Sequence, residues 1–457
     1  MTKNALSQAI TRYASSALLL PALVAPFTVQ AASDADTAAL ERRIQLLEQR
    51  LEAAEKSATT LSSTAASAKL AANTSASSNT TVTNNGRSLS FKGDGYTFQI
   101  GGRLQLDAAT YNEEIDDNDF GNGTKFRRAF VDIRGTVYDN WNYRFQYDFA
   151  RPTGSDSSAR GIRDAYIQYT GFKPDITIGH FKEPFGLELL ASSLNTTFVE
   201  PGLTSTFNPD RRIGLGLSDN SKHWTYAVGI FGETAEGDVA NEGDEGWDIT
   251  GRVTFSPLND AGRVVHLGLA GRQHTAEDST GTLRFRERPG SAITDVRLID
   301  TNTLEGTDDI QFTGLEAAAV FGPASVQAEW VKTSVSRSGA FDDVDFSAGY
   351  IYGSWFLTGE SRTYKNGVFD RISPKTTVGQ GGIGAWEAAL RYNTADLTDG
   401  TVIGGEQEDL TLGVNWYATS NLRFSANYIK VLELDRPGSV YDGEELDSLV
   451  VRAQIDF

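Results

Sequence analysis

The chain has no cysteine in 457 residues, and its one methionine stands at position 1. A chain without thiols can neither mispair disulfides nor be oxidised at sulfur, which suits an exported, oxidising compartment. It also lacks any apolar run of the ~20 residues that a membrane-spanning helix needs. The nearest, "ALLLPALVA" at Ala17–Ala25, is short and interrupted by Pro21. A helical membrane protein is thereby excluded. Histidine is scarce: His180, His223, His266 and His274 are scattered, and no pair has metal-ligand spacing. No G-x-S-x-G stretch is present to carry a nucleophile, and "GDGYTFQIGG" leads into a strand rather than a helix, so it is no phosphate loop. Lys and Arg (41) are outnumbered by Asp and Glu (60), giving a formal charge of -19, which argues against nucleic acid as a partner. These residues imply neither a metal nor a cofactor.

What the chain does have is aromatic residues and glycine: 24 Phe, 16 Tyr, 7 Trp and 45 Gly. Its N-terminus carries Lys3 and Arg12, the short apolar run, and small residues in "VQAA", so residues 1–31 are expected to be a Sec-type signal peptide cleaved after Ala31. Over 36–61, Leu40, Ile44, Leu47, Leu51, Ala54, Ala58 and Leu61 recur in steps of four and three, with charged residues between them. That is a coiled-coil seam of only about three heptads, which implies partner helices, most economically those of sibling subunits. The Ser/Thr/Ala-rich stretch 62–90 is expected to be a linker.

From about residue 91 to 457 the period becomes two. In "WNYRFQYDFA", Trp141, Tyr143, Phe145, Tyr147 and Phe149 share one face, and Asn142, Arg144, Gln146 and Asp148 share the other. Such segments fall near 96–107, 125–138, 141–150, 161–170, 174–181, 210–218, 223–231, 247–256, 263–272, 310–321, 324–335, 344–356, 384–395, 407–417, 421–432 and 447–457. An even strand count, short turns such as "DN" alternating with long connections, and aromatic residues at strand ends predict an all-β fold: a sixteen-stranded antiparallel transmembrane barrel preceded by the short coiled-coil helix. A slightly negative mean hydropathy (-0.32) is compatible, because half of the strand residues of such a barrel face water. The last strand alternates up to Phe457, as outer-membrane barrels usually do. Acidic stretches such as "EEIDDND" and "DGEELD" fall in the connections, where they are either solvated loops or, through divalent cations, contacts to lipopolysaccharide.

Parity then assigns faces. A cation facing lipid costs about 2–4 kcal/mol at mid-membrane, so the polar parity lines the lumen. Arg103 shares its face with Gln99, Gln105 and Asp107 and points in, as does Arg144. In "KFRRAFVDIRG", Val131 and Ile133 define the lipid face, which sends Arg128 and Arg134 inward. Strict alternation puts Arg127 outside unless it snorkels at a rim or a bulge turns it in. The connection 273–309 contains "LRFRER", in which Arg284, Arg286 and Arg288 alternate with Leu283, Phe285 and Glu287. Folded into the barrel, they would line an anion path; alternatively they pair with lipopolysaccharide phosphates or the acidic loops.

In order, the chain shows "GGRLQLD", "FRRAFVDIRGTVYDNWNYRFQYDFA", "DAYIQYTGFKPDITIGHFKEPFGLE", "LRFRERP", "GAWEAALRY" and "LTLGVNWYAT". Together these motifs resemble the phosphate-selective porin O and P family of Gram-negative outer membranes. The resemblance implies a homotrimer of sixteen-stranded barrels with loops folded inward, and points to Arg103, Arg127, Arg128, Arg284, Arg286 and Arg288. One segment departs from the pattern: after "FGLE", where phosphate-binding members carry lysines, this chain has "LLASSLNT". The expected function is a passive, water-filled, anion-preferring channel for phosphate, polyphosphate or carboxylate solutes. A general diffusion porin without phosphate specificity is the second candidate, and an outer-membrane barrel enzyme is the candidate from another class.

Overall fold

The computed structural model describes residues 80–457 except 85, 116–117, 151–160, 233–245 and 277–282, together with Gln49 and Lys56. The expected signal peptide and most of the expected linker lie outside these residues, as does the coiled-coil helix apart from those two positions. Of the two compact units into which the chain divides, Met1–Ser78 and Asn79–Phe457, the second carries the described sheets.

Among the described residues, sixteen strands form a closed antiparallel barrel. They are β1 (Tyr96–Asn112), β2 (Gly123–Val137), β3 (Trp141–Asp148), β4 (Ile162–Tyr169), β5 (Asp175–Lys182), β6 (Arg211–Asn220), β7 (Trp224–Phe231), β8 (Trp247–Asp260), β9 (Arg263–Thr275), β10 (Thr307–Phe321), β11 (Ala324–Arg337), β12 (Val344–Phe356), β13 (Ala385–Asp399), β14 (Val402–Tyr417), β15 (Leu422–Asp435) and β16 (Asp447–Asp456). Each pairs with the next, and β16 pairs back onto β1 with Asp456 opposite Arg103. Beyond that rung, Phe457 and Gly102 exchange backbone hydrogen bonds. Closure leaves no open edge in the wall.

Two shorter strands precede the barrel, the first within the stretch expected to be linker and the second running across its end. Thr81–Asn84 pairs with Leu89–Gly93, and the latter pairs with Ile100–Tyr96 of β1. This second arm occupies the same edge of β1 as β16 and runs in the same direction. Gly102 lies where the two meet; a Cβ there would come 2.6 Å from the Phe130 carbonyl and 2.9 Å from the Phe457 ring.

The alternation in sequence becomes an alternation of environment. Leu104 and Leu106 are 40% and 42% exposed on the outer surface, whereas Gln105 and Asp107 between and beyond them are buried inside. The apolar residues are therefore the ones facing lipid, as a membrane barrel requires. Outward aromatic residues gather at the rim carrying the short turns: Trp141 packs on Tyr169, Trp224 on Phe255, and Trp416 between Trp386 and Phe424. Rings in such a belt sit at the membrane–water boundary.

Two connections break the expected alternation of lengths: the turn between Asp399 and Val402 is tight on the rim of long connections, and 357–384 is long on the other. Residues 357–384, between β12 and β13, leave the rim that otherwise carries short turns and enter the barrel. A small hairpin there, Thr363–Lys365 with Val368–Asp370, places the Tyr364 hydroxyl within hydrogen-bond distance of Ser256 Oγ (2.8 Å) and His266 Nδ1 (2.7 Å). Arg252 donates to the Gly367 carbonyl at 2.8 Å. The connection is held by side chains distant in sequence, so no local pattern announces it.

At the opposite rim, the connections 183–210 and 283–304 fold into the lumen. Phe185, Val199, Leu203, Phe207, Phe285, Leu298, Ile299 and Leu304 pack on the inward faces of Ile310, Phe312, Val331, Val335 and Phe346. Here the barrel lining is apolar because it meets folded chain rather than water. The lumen is thereby narrowed toward the wall of β1–β8.

Candidate functional site

The segment 183–210 forms the inner wall of the remaining space, and barrel side chains fix its course. Glu329 on β11 accepts the backbone N–H groups of Leu187 and Glu188 at 2.5 and 2.9 Å, at the start of a four-residue helix, Leu187–Leu190. Arg391 donates to the Glu200 carbonyl, Arg423 to those of Thr196 and Thr197, and Arg452 to that of Val199. Guanidinium forks suit this role because each can reach several carbonyls while keeping its charge. These three arginines hold a loop.

The register between β1 and β2 decides the position of Arg127. Gln105 lies opposite Arg128, but Leu106 lies opposite Phe126, so Arg127 is the additional residue of a β-bulge. Phe126, beyond the bulge, returns to the outer face with 57% exposure. The bulge turns both arginines inward, as bulges re-aim side chains elsewhere. Arg127 forks onto Glu200 at 2.8 and 3.1 Å. Arg128 donates to Gln105 Oε1 at 3.0 Å. Arg103 donates to Ser193 Oγ at 2.8 Å and stacks over the Phe130 ring at 4.6 Å.

These side chains line one cavity of about 850 Å³ in the lumen. Of the eight arginines singled out from the sequence, Arg103, Arg127, Arg128, Arg144 and Arg288 border it; Arg134, Arg284 and Arg286 do not. Arg134 sits exposed near the short-turn rim, bonded to Gln99 at 3.0 Å. The expected row of guanidinium groups in "LRFRER" is split because Phe285 is drawn into the apolar cluster. Arg284 then turns to Asp300 at 2.7 Å, Arg286 stays exposed, and Arg288 bonds the Thr294 carbonyl at 2.8 Å and Asp295 at 2.6 Å. Sequence reasoning missed Arg163, Lys182, Arg211, Arg252 and Arg391 in the lining. Strand parity carries a signal for the last two; Lys182 closes β5 and Arg211 opens β6 on the same rung, which only the pairing reveals.

The lining carries as many carboxylates as cations, and most are paired. Arg144 bridges Asp132 and Asp164 at 2.6 and 3.0 Å, Arg211 bonds Asp164 at 2.5 Å, and Arg163 bonds Asp210 at 2.5 Å. Glu200 is shared by Arg127 and Arg452, each at 2.8 Å. Burial by itself would raise the Glu200 carboxyl, but Arg127, Arg452 and Arg128 overcome it and hold the group well below the usual carboxylate range. The same balance, with Arg163, Arg211 and Lys182 outweighing burial, keeps Asp210 low. Glu287 goes the other way: burial pushes it up.

Among the described residues, Arg103, Arg128 and Lys182 make no ion pair, and all three meet around residues 189–193. Lys182 Nζ donates to the Leu189 and Ala191 carbonyls, and Gln105 donates to the Ser193 carbonyl at 3.2 Å while accepting from Arg128. The arrangement can attract an anion and offer it N–H and O–H donors. No cluster of His, Cys, Asp and Glu that could hold a metal ion is found among the described residues. His266, the most deeply buried histidine, lies between Tyr364 and Glu316 as a packing residue.

Comparison with known proteins gives a consistent set of likenesses. The sequence model of the family described as "Phosphate-selective porin O and P" matches residues 98–457. Porin O of Pseudomonas aeruginosa is 29% identical over 400 residues, covering 79% of this chain and 89% of its own length. An uncharacterised protein of Caulobacter vibrioides is 28% identical over 426 residues, covering 87% of this chain and 84% of its own. Among solved structures, an anion-selective porin from Comamonas acidovorans superposes with a TM-score of 0.51 at 14% identity, covering 79% of this chain and all of that one.

Proposed function

This chain belongs to the phosphate-selective porin O and P family, an outer-membrane porin by family and fold, and from that premise we propose that it conducts small anions passively through the arginine-lined side of its lumen. The observation that carries the reading is the bulge in β2, which brings Arg127 and Arg128 beside Arg103 at the inward-folded segment. Guanidinium groups in a narrowed aqueous passage raise the local anion concentration and replace part of the anion's hydration, and binding shared among several weak donors still permits release. The overall charge of -19 does not oppose this, because charges beyond a Debye length of about 8–10 Å are screened at physiological salt. The likeness to Porin O and to the anion-selective porin of Comamonas acidovorans supports the same reading.

The wall supports a homotrimer. Strands β3, β4, β5 and β7 have eight residues each, against seventeen in β1. At ~3.4 Å per residue and a tilt of ~40°, eight residues rise only about 20 Å, less than the ~25 Å apolar band of a membrane barrel. A sibling barrel against this low sector would cover what the strands leave open.

The decisive experiment is the reversal potential of the purified protein in planar bilayers under a KCl gradient. Chloride preference is expected; cation preference would refute the proposal. Mass measurement of the detergent complex reports the oligomer.

A further inference from the structure

The side of the cavity next to the unpaired cations is apolar. Leu189 and Leu190, half-buried, line it at the positions just before Ala191, Ser192 and Ser193. Tyr166 on β4 and Phe181 on β5, also half-buried, line the adjoining wall, with ring centroids 6.2 Å apart in an edge-to-face contact. Phe181 is given its place by Gly216 on the next strand, where a Cβ would come 2.9 Å from the ring. Arg144 lines the same cavity, which brings the aromatic pair and the guanidinium cluster together. Cations and apolar surface thus border one space.

That combination is poorly matched to inorganic phosphate. Phosphate is strongly hydrated on every side, and a site for it gains by surrounding its oxygens with charge-assisted donors. Leucine and phenylalanine side chains offer none and would displace water without replacing its hydrogen bonds. An anion with one charged end and one apolar end meets no such penalty. Its carboxylate can lie against Arg103 and Arg128 with the Ser192 and Ser193 hydroxyls nearby. Its body can lie on the leucines and rings.

We propose that this lumenal cavity selects organic monoanions, carboxylates with an apolar or aromatic body, over inorganic phosphate, with Leu189, Leu190, Tyr166 and Phe181 as the specificity-determining surface. The proposal rests on the channel being anion-conducting. Covering roughly 60 Å² of a phenyl ring corresponds to about a tenfold gain in affinity.

The test is inhibition of chloride current through the full-length protein in planar bilayers by acetate, benzoate and phosphate at equal pH and ionic strength. Benzoate is expected to half-inhibit at about a tenfold lower concentration than acetate, and below phosphate. Equal potency of benzoate and acetate, or greater potency of phosphate, would overturn the proposal. The chloride reversal potential, taken first on the same membranes, separates this from failure of the channel reading, which only cation preference would signal. The double variant Leu189→Ser/Leu190→Ser should bring the benzoate-to-acetate ratio toward one, and Leu190→Lys should shift potency toward phosphate. If neither variant moves its ratio, these residues do not determine the choice.

Discussion

Replacing Glu200 with Gln tests the electrostatics of the lumen most directly. The Glu200 carboxylate is fixed between Arg127 and Arg452, beside Arg128, and so acts as a tethered counter-ion in the anion path. Gln keeps the shape and an acceptor oxygen but removes the charge. At ~6 Å from a passing ion and with a water-like dielectric, one charge contributes about 0.7 kcal/mol. Damped over a Debye length of ~30 Å at 0.01 M salt, this becomes about 0.6 kcal/mol, and over ~8 Å at 0.15 M about 0.3 kcal/mol. Because an anion gains what a cation loses, the chloride-to-potassium permeability ratio should rise roughly sevenfold at low salt and about threefold at physiological salt. Loop position should survive, since Arg391 and Arg423 still hold the carbonyls of Glu200, Thr196 and Thr197. Reversal potentials at the two salt concentrations report the ratio. A ratio that is unchanged, that falls, or that rises equally at both concentrations would refute the argument.

Removing Arg128 should weaken chloride preference at small structural cost, because among the described residues its guanidinium bonds only Gln105; Arg128→Ala with an unaltered reversal potential would show that Arg128 does not act on the ion. Arg452→Met deprives Asp107, Glu200 and the Val199 carbonyl of a shared, buried partner and should destabilise the protein by about 3–5 kcal/mol, read from denaturant midpoints in detergent. Gly102→Val forces a side chain onto the Phe130 carbonyl and the Phe457 ring, so the compact, heat-modifiable band on gels should be lost or shifted to lower temperature. Acidification should leave the Glu200 contacts intact until well below the ordinary carboxylate range. Its carboxyl is held low in the folded protein, so its stabilisation is complete above the unfolded-state value of ~4.3 and fades as pH falls through the lower folded value. A rise in chloride preference between pH 8 and 5 that Glu200→Gln abolishes would contradict this.

The barrel was legible because its physics is local and repeated: every strand must be apolar on one side and polar on the other, so residues such as Leu104 and Gln105 declare their faces without knowledge of their neighbours. Arg127 was not legible from alternation, although the family resemblance pointed to it. Its direction depends on the β1–β2 register, where Leu106 skips from Arg127 to Phe126, and a bulge leaves no mark in the bulged strand itself. The fate of "LRFRER" was hidden similarly, since nothing near Phe285 reveals that Phe312 and Phe346 wait inside the barrel for it. Lumen arginines were visible as a class, but which would meet ions and which would hold carbonyls, as Arg423 does, depends on the path of a loop more than two hundred residues away. The connection 357–384 is fixed by partners about a hundred residues away, whereas the arm Leu89–Gly93 folds back on the adjacent stretch Tyr96–Ile100.

That arm has a consequence for the connectivity of the wall. Phe457 bonds to Gly102, and Leu89 stands opposite Ile100, so Phe457 and Ser88 flank adjacent rungs of β1 with their chains running the same way. Seen from β1, the sixteenth stave is one line of backbone with a nick in it. A gene rearranged so that residue 457 is followed directly by residue 88 would turn the nick into an ordinary peptide bond and require no new fold. New ends could then be opened at the tight turn around Asp139–Asn140, and the same barrel would be written from a different starting point.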